Sequence, residues 1–122
     1  MIEYFYDSYA IIGALKGNPA YRKYFEGSKG ITTRLNLMEV YYALLDNEKY
    51  ADEVYTSFLS TVVGPTDEQV RAAMRERRKL HTKGLRTSYV DAIGYVLARE
   101  KGLRFLTGDR EFRELPGVEF VK

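Results

Sequence analysis

The chain has no cysteine and a single histidine, His81. The first absence removes disulfides, thiolate metal centres and cysteine nucleophiles together, and is compatible with a reducing compartment. The second rules out RNA cleavage by a histidine pair. His81 itself has two readings, a phosphate contact or a surface residue near a helix C-terminus, where the helix dipole favours a positive ring. Long apolar runs are missing as well. The longest, "YAIIGAL" at residues 9–15, falls far short of the ~20 residues that cross a bilayer. The N-terminus carries Glu3 and no basic n-region, so no signal peptide is visible, and a soluble, cytoplasmic protein is expected. No Gly-x-Ser-x-Gly elbow, Gly-rich phosphate loop or zinc-ligand spacing occurs.

What is present is an ordinary globular balance. Of 122 residues, 45% are hydrophobic and 30% charged, enough for one domain spanning residues 1–122 to bury its own core. The net charge of +2 is unevenly placed. Residues 71–86, "RAAMRERRKLHTKGLR", hold seven Lys/Arg against one Glu. That segment is locally +6, so the remaining chain sums to −4. A basic segment on an acidic body suits the grip of a polyanion near a cation site.

Along the chain, "IEYFY" (2–6), "GITT" (30–33), "STVVG" (60–64), "RFLT" (104–107) and "VEFV" (118–121) read as strands. Helical patterns separate them. "GNP" at 17–19 stops the first helix. Thr66 and Gln69 are spaced as a capping box, and so are Ser88 and Asp91. In the helix after Thr33, the recurrence of Leu35, Met38, Tyr42 and Leu45 predicts one buried face. Gly94 in mid-helix costs about 1 kcal/mol relative to Ala, which predicts close helix–sheet packing there. The alternation implies an α/β fold, a three-layer α/β/α sandwich around a parallel sheet of about five strands. Ligands of such sheets sit beyond the carboxyl ends of the strands.

Four acids fall near that edge. Asp7 directly follows the first strand, and on its own it reads as a helix N-cap. Glu39 lies on a helix that is apolar on several sides, so its alternatives are a solvated flank or a buried carboxylate in need of a partner. Asp91 sits in a capping box. Asp109 belongs to a "TGD" turn. Singly, each has a structural explanation. Jointly, two like charges at ~4 Å repel by about 4 kcal/mol near a protein surface. A converging set therefore needs protonation, a Lys/Arg bridge or a divalent cation. Oxygen-only ligands favour Mg²⁺ or Mn²⁺ over zinc.

"YFYDSYAIIGAL", "ITTRLNLMEVYYAL", "SYVDAIGYVLAREKGLRFLTGDREF" and "LPGVEFVK", in this order and over essentially the whole chain, resemble a PIN domain. More narrowly they are similar to the VapC toxins of toxin–antitoxin pairs. The resemblance implies a PIN-like fold and a Mg²⁺- or Mn²⁺-dependent endoribonuclease, usually dimeric and held inactive by a VapB-like antitoxin. It matches Asp7, Glu39, Asp91 and Asp109 to the family's acids as metal ligands and catalytic groups. Asp7 and Asp91 are then the first choice for direct ligands, while Glu39 and Asp109 orient waters or complete a second ion site. Ser8, Asn36 and Thr107 stand beside the acids as supporting hydrogen-bonding groups. Two departures stand out: Tyr9 and Asn36 occupy positions where the family commonly has small hydroxyls.

Arg71, Arg75, Arg77, Arg78, Lys79, Lys83 and Arg86 are candidates for RNA phosphates, against the reading of a solvated basic helix face. Tyr4, Tyr6, Tyr9, Tyr41 and Tyr42 can serve as base-stacking platforms or as core and interface residues. A phosphoacceptor receiver domain and an Asp-x-Asp phosphatase fit poorly, because the third predicted strand ends "TVVGPT" and position 9 is Tyr. The remaining rival is a catalytically inactive PIN-like module that only binds RNA or protein.

Overall fold

A computed structural model describes all residues from Met1 to Lys122. The elements follow in the order β1 (Ile2–Tyr6), α1 (Ser8–Leu15), α2 (Arg22–Glu26), β2 (Lys29–Ile31), α3 (Arg34–Ala43), α4 (Glu48–Phe58), α5 (Asp67–Thr82), α6 (Tyr89–Glu100), β3 (Arg104–Thr107) and β4 (Val118–Phe120). Single 3₁₀ turns at Pro19–Tyr21, Leu59–Thr61 and Arg110–Phe112 join them. The sheet is wholly parallel, with strand order β2-β1-β3-β4. This is the α/β architecture with a parallel sheet that the alternating pattern predicts.

The two-residue period of the strands sorts the core into two layers. Phe5 and Phe105 point to one face and pack with Tyr95, Leu97 and Ala98 of α6. Their neighbours Tyr6 and Leu106 point to the other, against Ala10 and Ile11 of α1, Tyr24 of α2, Val40 of α3 and Val54 of α4. α5 lies outside α6, with Ala73 against Ala92 and Ile93. Gly94 lets α6 approach the sheet: a Cβ added there would come within 2.7 Å of the Phe5 ring. Both predicted capping boxes form, Thr66 with Gln69 and Ser88 with Asp91. No helix is long and apolar enough to cross a membrane.

Two details depart from the sequence reading. The stretch 60–64 supplies only a parallel bridge between Val62 and Thr32, just beyond β2. Its hydrogen bonds are Thr32 N–H to the Thr61 carbonyl (3.1 Å) and Val63 N–H to the Thr32 carbonyl (3.0 Å). Gly64, at φ +35°, then turns the chain away, and Pro65 has no N–H to extend the ladder. A fifth strand thus survives in outline. The second departure is a correction. Leu35, Met38, Tyr42 and Leu45 do not form the buried face of α3: Met38 is 53%, Tyr42 80% and Leu45 42% exposed. The helix buries Asn36, Leu37 and Val40 instead. Periodicity shows that a helix has apolar stripes, and here the sheet took the other one.

Candidate active site

Three chain segments leave the carboxyl edge of the sheet carrying an acid or its support. Asp7 follows β1 and caps α1, its Oδ1 accepting the Ala10 N–H at 2.8 Å. It is only 1% exposed. Burial pushes its carboxyl up to about 8, opposed by the Thr107 hydroxyl and the Ala10 N–H, with Asp91 and Asp109 pushing it further up. Asp91 opens α6, accepting the Ser88 N–H at 3.2 Å and returning its own N–H to Ser88 Oγ at 3.0 Å. Burial also raises it, and the charge of Asp109 adds to the shift. Asp109 lies just beyond β3. Its N–H donates to Thr107 Oγ1 and its Oδ1 accepts the Glu111 N–H, both at 3.0 Å. Thr107 thereby serves two of the acids.

Glu39 reaches the same place from α3. Burial raises its carboxyl, countered by a bond from Ser8 and reinforced by Asp91. The bond ends a one-way relay. Thr33 Oγ1 donates to Asn36 Oδ1 (2.6 Å), Asn36 Nδ2 donates to Ser8 Oγ (2.9 Å), and Ser8 Oγ donates to Glu39 Oε1 (2.6 Å). Ser8 Oγ gives its proton to Glu39, so Glu39 Oε1 is held as an acceptor. Asn36 stands where a hydroxyl was looked for, and it fills the place by orienting Ser8. Thr33 escaped the sequence reading. Its signal was a Thr three residues before Asn36, which the structure shows to be the N-cap of α3.

All four acids line one concavity of about 570 Å³, with Ser8, Ser88 and the apolar groups of Tyr9, Ile12, Met38 and Tyr42. A larger hollow of about 870 Å³ beside Arg22, Lys23 and Lys122 gathers no comparable set of acids. No cation neutralises the four carboxylates. The ion pairs of the molecule, Arg22–Glu26, Arg104–Glu119 and Arg113–Glu114, lie elsewhere. Mutually repelling acids, one buried and three half-buried, without a Lys or Arg bridge have two remedies left, a proton or a divalent ion.

The side chains set the terms for such an ion. No three histidine, cysteine or carboxylate side chains gather closely enough to cage a metal. A closed zinc-type centre does not fit. Mg²⁺, however, keeps several waters and takes one or two carboxylates directly. Asp91, whose charge acts on both Asp7 and Glu39, offers such pairs, and every donor is oxygen. The residues fit a hydrated Mg²⁺ or Mn²⁺ held through one or two carboxylates.

The predicted basic residues are not brought into this concavity. Arg71, Arg75, Arg78, Lys79 and Lys83 are exposed on α5 or at its end, and Arg86 is exposed in the following turn. Arg77 is engaged internally: its Nε donates to the Thr87 carbonyl at 2.9 Å, and its guanidinium lies 4.2 Å from the centre of the Tyr89 ring. His81 is exposed, with Nε2 at 3.1 Å from the same carbonyl. Two side chains of α5 thus hold the turn that delivers Ser88 and Asp91. Of the tyrosines, Tyr6 is buried, Tyr4 packs edge-on against Tyr24, Tyr41 bonds Asp52 at 2.7 Å, and Tyr9 and Tyr42 stand exposed at the acids.

The profile of one family, described as PIN domain, matches residues 4–118. Among solved structures, a toxin–antitoxin complex from Klebsiella pneumoniae superposes with a TM-score of 0.76 at 16% identity, covering 96% of each chain. Mycobacterium tuberculosis VapC20, described as a Sarcin-Ricin loop cleaving toxin, gives 0.74 at 19% identity over 98% of this chain and 100% of that one. FitAcB from Neisseria gonorrhoeae gives 0.71 at 19% identity, covering 97% and 96%. At such identities the likeness speaks for the fold. No curated protein matches the sequence.

Proposed function

The chain belongs to the PIN domain family, and from that premise we propose that it is a Mg²⁺- or Mn²⁺-dependent endoribonuclease, the toxin of a VapBC-type toxin–antitoxin pair. The observation that carries this reading is the set of four carboxylates lining one concavity, with Asp7 buried and no cationic side chain among them. A stable fold gains nothing from that arrangement. A phosphodiesterase does.

In this reading Asp7 and Asp91 are direct ligands, and Glu39 and Asp109 orient waters or complete a second ion site. When bound, the ion makes a water acidic enough to attack near neutral pH and offsets charge on the leaving oxygen. Ser8, itself oriented by Asn36, holds Glu39 in one rotamer. Thr107 favours the ionised form of Asp7 and fixes the Asp109 backbone. Burial keeps bulk water from Asp7, so the field of its carboxylate is little screened once the proton leaves. Arg75, Arg78, Lys79, Lys83 and Arg86 supply phosphate contacts from α5 and the turn beyond it. These set affinity and salt dependence. A VapB-like antitoxin and a second copy of the chain are the proposed partners, and the cytoplasm the proposed location. The toxin–antitoxin complex among the structural neighbours supports the antitoxin.

The test is cleavage of single-stranded RNA by antitoxin-free protein with Mg²⁺, Mn²⁺ or EDTA. Wild type is expected to cut only with metal, and Asp7→Asn to fold normally and lose cutting. Activity retained by that variant overturns the assignment. The absence of a closed three-ligand cage favours one second reading, a PIN-like module that binds RNA or protein without cutting. It predicts no EDTA-sensitive cleavage and no thermal stabilisation by Mn²⁺.

A further inference from the structure

The acid concavity has no lysine or arginine in its lining. An RNA strand placed there meets carboxylates, hydroxyls and apolar groups but no cation, so the cations that hold it must come from adjoining ground. One adjoining hollow, of about 510 Å³, shares Tyr9 and Ile12 with the acid concavity and continues to Lys16, Asn18 and Lys122. Tyr9 is 56% exposed. Its ring is braced on Gly108, where an added Cβ would come within 2.6 Å of a ring carbon. This places an open, fixed aromatic surface directly beside Asp109. Lys16 and Lys122 are exposed, and neither takes part in an ion pair.

We propose that this trough is a nucleotide subsite for unpaired RNA. The base next to the scissile bond stacks on Tyr9, and the next phosphate lies against Lys16 and Lys122. The inference rests on the nuclease reading of the neighbouring acids and adds to it the residues that hold the strand beside them. The order of chemistry along the trough, carboxylates, then an aromatic ring, then cations, repeats the order of a single strand: the reacting phosphate with its ion, a base, a second phosphate. Stacking on aromatic rings is tolerant of sequence because every base has a π face. It is unavailable to a base already stacked and paired in a duplex.

The experiment measures binding of a labelled single-stranded RNA of mixed sequence by anisotropy in Ca²⁺ buffer, and cleavage of the same RNA in Mn²⁺. It compares full-length wild type with Tyr9→Leu, Tyr9→Phe and Lys16→Gln, each checked to melt like wild type. Tyr9→Leu should weaken binding about tenfold, while Tyr9→Phe stays within about twofold. Lys16→Gln should lower the dependence of log affinity on log salt by about 0.7. Duplex RNA of the same sequence should bind wild type and Tyr9→Leu alike. If Tyr9→Leu and Lys16→Gln bind and cut as wild type does, the subsite is overturned while the nuclease reading stands, and the face is left to a protein partner. RNA held through Tyr9 but never cut supports the subsite and retires the nuclease reading. Wild type that neither binds nor cuts unpaired RNA overturns both.

Discussion

The acid concavity and helix α5 are two charged regions of this molecule, and they differ in what surrounds the charge. On α5 the lysines and arginines stand mostly in water, where a unit charge costs little and salt screens its neighbours of like sign. In the concavity Asp7 is 1% exposed, and burial, joined by the charges of Asp91 and Asp109, drives its carboxyl far above the ordinary range. A solvated charge says little about purpose, because removing it changes little. A buried charge without a counter-ion weakens the fold that holds it. That contrast, more than the number of charges, makes the carboxyl edge of the sheet the candidate site.

The contrast is broken most sharply at Asp7. Asp7→Asn should lower RNA cleavage by about 10²–10⁴-fold, whereas Lys79→Ala should leave it within a fewfold, as single-turnover assays at saturating metal would show. The same substitution has an opposite effect on stability. The folded carboxyl titrates at about 8, against an ordinary value of 3.8. Its pKa is raised on folding, so the stability it contributes is complete below about pH 4 and is lost as pH climbs through about 8. Metal-free wild type should therefore melt at lower temperature near pH 8 than near pH 5. Asp7→Asn should flatten that profile and be the more stable protein at the alkaline end.

Adding the proposed divalent ion is the next largest effect. Mn²⁺ at about a hundred times its dissociation constant should stabilise wild type by about 2.7 kcal/mol, increasingly so as pH rises, and should do nothing for Asp7→Asn in a thermal melt. Below that comes the relay behind Glu39. Ser8→Ala strands the buried Asn36 amide and frees Glu39, at about 1–3 kcal/mol of stability by urea titration. Smallest, and most useful for sharpening the comparison within α5, is Arg77→Ala beside Arg78→Ala. Arg77 holds the Thr87 carbonyl and covers Tyr89, so its loss should cost about 1–2 kcal/mol. The exposed Arg78 should cost within about 0.5 kcal/mol and only lessen the salt dependence of RNA binding.

Much of the scaffold was readable from local chemistry. Asp7, Thr66 and Ser88 all cap helices, and β1, β3 and β4 fall within the runs 2–6, 104–107 and 118–121 that read as strands. Such signals involve neighbours in sequence, which the chain displays directly. The four acids were legible for a related reason: each sits at a strand end or in the early turns of a helix, and a parallel sheet brings those points to one edge. What the sequence hid depends on distant partners. Residues 33 and 36 meet residue 8 only in the folded chain, so the relay to Glu39 left no pattern. Arg77 looks like its neighbours until Thr87 and Tyr89 arrive beside it. On α3, periodicity could not choose between the stripe of Met38 and Tyr42 and that of Leu37 and Val40, because the choice belongs to the sheet.

The central claim is that buried Asp7 and the half-buried acids around it bind a divalent cation. Calorimetric titration of Mn²⁺ into metal-free protein near pH 7, repeated in two buffers of different ionisation enthalpy, tests it most directly. A carboxyl that titrates at about 8 is mostly protonated there, and ligand carboxylates must ionise to bind metal. The account predicts saturable binding with close to one proton released per ion, and loss of both the proton and most of the affinity in Asp7→Asn. Binding without proton release, or equal binding by Asp7→Asn, would contradict it.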